Sequence, residues 1–298
     1  MSESASAWVS MLGGEVKYVH SGEYRTRCFH AGGGDRPPLI LIHGVGGHAE
    51  SYLKNVMPLA EELSDRDIYS IDLVGHGYSS KTGNYSLSDY GEHVAAFVES
   101  LDQDRAHIHG ESLGAMVATW IGVNRPELAE TIGLNTMAIV SDDIHETVLT
   151  DEQIERMEAE GEDLFRRTQE MMEEGFPKPL VRRRVEWLFH GDIPEELVDI
   201  RYHIYQRPIV QEHMPEIYAE RGKMESFGAA DFRQIDRPTL VVHTAHNPGT
   251  PADSMAYIHE QFLADSEYHL LEHSAHWPQW EEAERFNEIT AEFVSANE

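Results

Sequence analysis

The five residues Gly110-Glu111-Ser112-Leu113-Gly114 constrain this chain more than any other segment. A short run with buried-strand character, Ala106–His109, precedes them, and a helix-forming run, Ala115–Ile121, follows. A strand that passes into a helix through so tight a turn sets the serine on a sharp, exposed bend. Glycines on either side leave room where a Cβ would meet neighbouring backbone. The helix N-terminus then faces the serine oxygen and favours negative charge developing there. The bland alternative is a Gly-Ser turn that does no more than cap a helix.

The surroundings fit a layered α/β chain. Pro38–Ile42, Ile68–Ile71 and His107–His109 read as buried strands, with amphipathic stretches at Glu50–Leu63 and Leu87–Leu101 between them. Ser86 or Ser88 opens the second stretch as an N-cap, and Thr131–Met137 adds a strand. Strand, helix, strand at these spacings predicts a parallel sheet covered on both faces. From residue 138 to 230 no buried strand is read. Charge-dense helical segments stand there instead, at Asp151–Glu174 (capped by Thr150), Leu180–Phe189 and Pro194–Tyr205. Strands return at Thr239–His243 and Tyr268–Leu271. A last helix, Glu281–Phe293, sets Phe286, Ile289 and Phe293 on one face. The expected organisation is a core over 1–137, a helical insertion over 138–230 and the rest of the core over 231–298.

A serine hydroxyl needs a base to take its proton. His276 is the best candidate, in a loop after the last strand and before the last helix. An oxyanion needs two donors, and the backbone N–H of Leu113 is one. His43-Gly44-Val45-Gly46-Gly47 follows a strand as a glycine-rich turn, and the N–H of Val45 is expected to be the other. His43 and Gly44 are expected beside the substrate. The 18 histidines raise the question of a metal, through His107-x-His109 and His243-x-x-His246 among others. With no cysteine cluster and no His-Glu-x-x-His, no metal and no cofactor are expected.

Taken together, His43-Gly-Val-Gly-Gly47, Asp72-Leu-Val-Gly-His-Gly-Tyr-Ser79, Gly110-Glu-Ser-Leu-Gly114 and His276-Trp-Pro-Gln-Trp-Glu281 resemble the α/β-hydrolase superfamily over essentially the whole chain. The elbow followed by Leu134-Asn-Thr136 and the final His-Trp motif are most similar to its meta-cleavage product hydrolases. The resemblance implies a mostly parallel eight-stranded α/β sheet with helices on both faces and a helical cap in place of 138–230. It implies hydrolysis of a carbon–carbon bond in a 2-hydroxy-6-oxo-dienoate. It also implies an arginine gripping the substrate carboxylate, for which Arg201 is the candidate; the alternative is that Arg201 pairs with Asp199 or Glu195. Trp277 either lines the pocket or packs beside the loop.

One position departs from the pattern. The acid expected on the loop after Thr239–His243, counted back from Pro251, falls on Asn247. Asparagine accepts a hydrogen bond but brings no charge to an imidazolium. In the well-studied serine proteases the same exchange lowers turnover about 10⁴-fold. Either Asn247 suffices, or Asp142, Asp143 or Asp253 serves, or catalysis is weak or absent. The rivals to a carbon–carbon hydrolase are a carboxylesterase or lactonase using the same Ser-His pair, and a ligand-binding receptor or pseudoenzyme of the same fold.

Composition narrows the setting. The 298 residues include 23 basic and 53 acidic ones, a net charge of −30. Nucleic acid and anionic membrane surfaces would be repelled, so a small molecule is the expected partner, with homo-oligomerisation left open. Cys28 is the single cysteine, which excludes an intrachain disulfide and suits a reducing cytoplasm. Met1–Leu12 lacks the pattern of a signal peptide, and no apolar run approaches the roughly 18 residues of a membrane helix. Self-repulsion at −30 weakens the compact state at low salt and is screened at molar salt, where the Debye length is about 3 Å. A salt-rich host cytoplasm is therefore expected, against the alternative of an ordinary acidic protein. The thermal midpoint should rise between about 0.1 M and 2 M KCl; a midpoint that stays level removes the expectation.

Overall fold

The structure, a computed structural model, describes residues 6–81 and 83–297. Residues 1–5 of the segment read for a leader lie outside the described residues. Eight strands form one sheet: β1 (Glu15–Ser21), β2 (Tyr24–Gly32), β3 (Arg36–Ile42), β4 (Arg66–Ile71), β5 (Ala106–Glu111), β6 (Ala129–Asn135), β7 (Thr239–Thr244) and β8 (Ser266–Leu271). Their spatial order is β1-β2-β4-β3-β5-β6-β7-β8. β1 and β2 form an antiparallel hairpin, β2 pairs antiparallel with β4, and every later pairing is parallel. β5, which carries the serine turn, runs between β3 and β6 in the middle of the sheet.

Alternation along β3 explains the two layers. Ile40 and Ile42 join one apolar cluster, while Leu39 and Leu41 join the other. Helices α1 (Val56–Glu62), α2 (Leu87–Glu99) and α3 (Leu113–Asn124) cover the sheet from both sides, α1 with the Leu39 cluster and α2 and α3 with the Ile40 cluster. Ser86 caps α2 through a reciprocal pair with Asp89. The expected helix over Glu50–Leu63 is shorter: a 3₁₀ turn at Ala49–Tyr52 comes first and α1 starts at Val56. Pro58 gives the reason, because its missing N–H is harmless only in a first turn.

Between β6 and β7 the chain leaves the sheet as helices α4 (Asp142–Val148), α5 (Asp151–Glu173), α6 (Lys178–Glu186), α7 (Glu195–Tyr205) and α8 (Pro208–Arg221). Thr150 caps α5 through a reciprocal pair with Gln153. This segment has an apolar cluster of its own, built on Met171, Phe176, Val181, Tyr205 and Met214. Its two ends meet where Val140 bridges Phe227 and the Ser141 N–H donates to the Phe227 carbonyl at 3.0 Å. The chain returns through α9 (Ala229–Phe232) and, after β7, α10 (Ala252–Gln261). The expected last helix is divided into α11 (Pro278–Glu281) and α12 (Ala283–Ala296). The break falls where Glu281 and Glu282 turn their carboxylates onto backbone N–H groups at 190, 191, 273 and 275. Phe286, Ile289 and Phe293 are all buried in the Leu39 cluster. No helix among the described residues is long and apolar enough to cross a membrane.

The interior carries many neutral histidines. His107 accepts from Arg66 at 2.8 Å and its other nitrogen meets the Thr131 hydroxyl, which His109 also contacts. His93 meets Thr26 at 2.7 Å. Burial pushes His76 and His243 down to about 4, and His93 and His109 down to about 3. An unfolded histidine titrates near 6.5, so below that pH the unfolded chain binds protons that the folded one refuses. The stability they contribute is complete above about 6.5 and is lost as pH falls towards the folded values. Four such groups give a slope of roughly 5 kcal/mol per pH unit, against a typical total of about 5–15. The urea midpoint should therefore drop steeply between about pH 6.5 and 5, and His93→Gln should flatten that slope by about one proton; an unchanged midpoint at pH 5 contradicts the account.

Candidate active site

Ser112 stands alone between β5 and α3 with φ +56° and ψ −112°, a conformation that costs a non-glycine residue roughly 1–3 kcal/mol. Its N–H donates to the Asn135 carbonyl on β6 at 2.9 Å, which fixes the bend against the neighbouring strand. A Cβ at Gly110 would run into the backbone of Gly114, and one at Gly114 into the Ile42 carbonyl of β3. The serine borders a cavity of about 260 Å³ roofed by the helical insertion.

His276 reaches the same cavity from the loop after β8. Its main chain is held on both sides, by the Leu188 carbonyl at 3.1 Å and the Thr136 hydroxyl at 3.0 Å. Nδ1 lies 2.8 Å from Asn247 Oδ1. The Asn247 amide donates to the Thr250 carbonyl at 2.8 Å, and a carbonyl can only accept, so the oxygen is the end turned to His276. Nδ1 therefore carries the hydrogen and Nε2 is the free base in the neutral ring. Asn247 thus selects the tautomer a serine base needs, without supplying charge. None of the acidic alternatives hydrogen-bonds His276, although Asp142 borders the cavity. Asp253 accepts from Gln153 at 3.0 Å, and Asp142 and Asp143 sit exposed in the first turn of α4.

A carboxylate is nevertheless present at the imidazole, at a residue the sequence reading passed over. Glu111, 2 % exposed at the side chain, holds Oε1 3.2 Å from His276 Nε2 and accepts the Gly44 N–H through Oε2 at 2.7 Å. A carboxylate oxygen and a bare ring nitrogen both present lone pairs, so this contact holds only with a proton between them. No hydrogen bond joins Ser112 to His276 here; Glu111 occupies that side of the ring. The signal available in the sequence was an acidic residue on a strand otherwise wholly buried.

The glycine turn after β3 closes through Gly47 N–H to the Gly44 carbonyl at 2.9 Å, with Gly46 at φ +67°. His43 does not border this cavity, which corrects the expectation that it lies beside the substrate. It is completely buried, donates from Nδ1 to the Gly44 carbonyl at 2.7 Å and accepts the Leu73 N–H at Nε2. Because a peptide is planar and trans, pinning the Gly44 carbonyl also fixes the opposed N–H of Val45. His43 shapes the turn from behind. Gly44 and Val45 do border the cavity, and Leu113 is the first residue of α3, so its N–H has no partner within the helix.

The insertion contributes the far wall. Arg201 is buried there, its guanidinium 4.7 Å from the Trp277 ring centre and its Nη2 donating to the Gly46 carbonyl at 2.8 Å. The surface acids weighed as its partners are taken: Lys178 pairs with Glu195 and Asp199, and Arg182 also meets Glu195. Trp277 borders the cavity as well. Arg184 donates to the Val45 carbonyl at 3.4 Å, so adjacent carbonyls of the turn are each held by an arginine of the insertion. Among the described residues no group of three or more His, Cys, Asp or Glu side chains is arranged to hold a metal ion.

Comparison with known proteins accords with this geometry. Over 91% of its length the chain is 24% identical to a 2-hydroxymuconate semialdehyde hydrolase of Pseudomonas sp. (strain CF600), spanning 90% of that protein. It is 25% identical over 98% of its length to a 2-hydroxy-6-oxo-6-(2'-aminophenyl)hexa-2,4-dienoic acid hydrolase of Metapseudomonas resinovorans, spanning 93% of it. A crystal structure of a serine hydrolase involved in carbazole degradation superposes with a TM-score of 0.77 at 20% identity, covering 95% of this chain and 99% of that one. Residues 39–289 match the family model of the alpha/beta hydrolases, and with most of its length inside that match the chain belongs to the alpha/beta hydrolase family.

Proposed function

We propose that this protein is a serine hydrolase that cleaves a carbon–carbon bond next to a keto group in a 2-hydroxy-6-oxo-dienoate-like acid, with residues 138–230 as the cap over the substrate. The observation that carries the reading is the positive-φ serine at the cavity floor, with one imidazole and one glycine turn facing the same space. The full-length relatives whose names specify dienoic acids add to it. Ser112 Oγ attacks the keto carbon while His276 Nε2 takes its proton and hands it to the departing carbon. Water then releases the acyl group from Ser112. The N–H groups of Val45 and Leu113 hold the oxyanion, a contribution of about 3–4 kcal/mol per donor in comparable sites. Arg201, stacked on Trp277, binds the substrate carboxylate.

Glu111 completes this chemistry. When Nε2 takes the serine proton the ring becomes a cation, and Asn247 brings it no charge. The Glu111 carboxylate stands 3.2 Å from the protonated nitrogen and stabilises it from the nucleophile's side. Removing the residual proton between Glu111 and Nε2 is then a condition for attack.

Two measurements test these roles. With a dienoate chromophore, kcat/KM should exceed that for p-nitrophenyl acetate at least tenfold, and Ser112→Ala should lower dienoate turnover by about 10³-fold or more. The reverse ratio identifies a carboxylesterase, and an unaffected Ser112→Ala variant removes the nucleophile. Glu111→Gln should lower kcat by about 10²-fold or more, and adding Asn247→Asp to that variant should recover at least tenfold, because the charge returns at the other nitrogen. Loss without recovery assigns Glu111 a packing role only.

A further inference from the structure

Three arginines border the cavity: Arg184 from α6, Arg201 from α7 and Arg221 at the end of α8. Arg184 and Arg201 are 2% and 1% exposed. Elsewhere in this acidic chain arginines commonly meet carboxylates, as Arg27, Arg125, Arg167 and Arg183 do. Among the described residues none lies within 4.0 Å of these three. Arg184 reaches only neutral acceptors, Thr168, Tyr218 and the Val45 carbonyl, and Arg201 only Tyr205 and the Gly46 carbonyl. Each keeps a buried Nη1 with no hydrogen-bond partner. Arg221, half-buried on the same wall, has no hydrogen bond or ion pair to any described residue; burial and then the charge of Arg184 push its pKa down.

Desolvated cations without counter-ions are unfavourable, and like charges side by side more so. Of the acids at the cavity, Glu111 is already engaged by Gly44 and His276, and Asp142 is exposed at the start of α4. One substrate carboxylate on Arg201 would leave Arg184 and Arg221 unanswered. We propose that the cavity takes a dicarboxylate, an acyclic keto acid whose second carboxylate lies between Arg184 and Arg221. The fork of each guanidinium suits a carboxylate oxygen pair, and Tyr218, hydrogen-bonded to Arg184 at 2.5 Å, borders the same position. Ile139, Leu164 and Trp187 provide the apolar wall for the carbon chain between the two ends. In a molecule of net charge −30 such a dianion binds only where local cations outnumber acids.

The inference rests on the reading of this cavity as the substrate chamber, and its test is made without the chemistry. Calorimetric titration of the Ser112→Ala protein compares adipate with hexanoate, acids of equal chain length that differ by one carboxylate. Adipate should bind at least tenfold more tightly, and Arg221→Gln on the same background should bring adipate down to the level of hexanoate. The thermal midpoint of the Arg221→Gln protein should not fall, since the guanidinium has no partner to lose. Adipate binding no tighter than hexanoate, both failing to bind included, overturns the proposal, as does an adipate preference that survives Arg221→Gln. Dienoate turnover by the unmodified protein reports separately on the hydrolase reading, so the two fail independently.

Discussion

The left-handed backbone of Ser112 is the constraint on which the rest of the site depends. It is tolerable because the middle of the sheet leaves no other path. The serine N–H is taken by β6, while Gly110 and Gly114 pass so close to each other and to β3 that no side chain fits. Strain of this kind persists only where its surroundings over-determine it. The same crowding starts α3 immediately after the serine, so an N–H with no partner in the helix and the positive end of that helix face the space beside the hydroxyl.

Around that point each group is held by a neighbour doing a different task. Asn247 is turned by Thr250 so that its oxygen meets Nδ1 of His276, and Thr250 in turn is tied to the Ala138 carbonyl at the start of the insertion. In the proposed mechanism tautomer and charge, supplied together by an aspartate in the familiar triads, are divided between Asn247 on one nitrogen and Glu111 on the other. His43, fully buried and neutral, fixes the glycine turn after β3 without touching the cavity.

The central strands were readable because buried strands of a parallel sheet carry apolar residues on both faces; β8, the edge strand, is only partly buried and was read from its short apolar run alone. The hairpin β1–β2 was not, for a physical reason. Its inner positions carry Arg27 and His30, and Arg27 is neutralised out of sight by Glu50 and Asp72, at 2.5 and 2.8 Å. Only tertiary partners make such a strand buriable, and those partners lie 23 and 45 residues away. The serine bend, the histidine loop and the glycine turn were visible as local motifs. Glu111 was missed because a motif's variable position says nothing about where its side chain points. His43 was misjudged because adjacency in sequence to the turn does not mean exposure to the substrate.

The glycine turn after β3, proposed to hold the reaction's negative charge, is fastened from above by Arg184 and Arg201, residues that belong to the inserted helices rather than to the sheet. The roof over the cavity and the shape of the turn beneath it are therefore physically coupled. A chimera that grafts a foreign roof onto this scaffold would discard the clamps on Val45 and Gly46 together with the old chamber walls. Substitution of single side chains under the existing roof leaves those clamps in place.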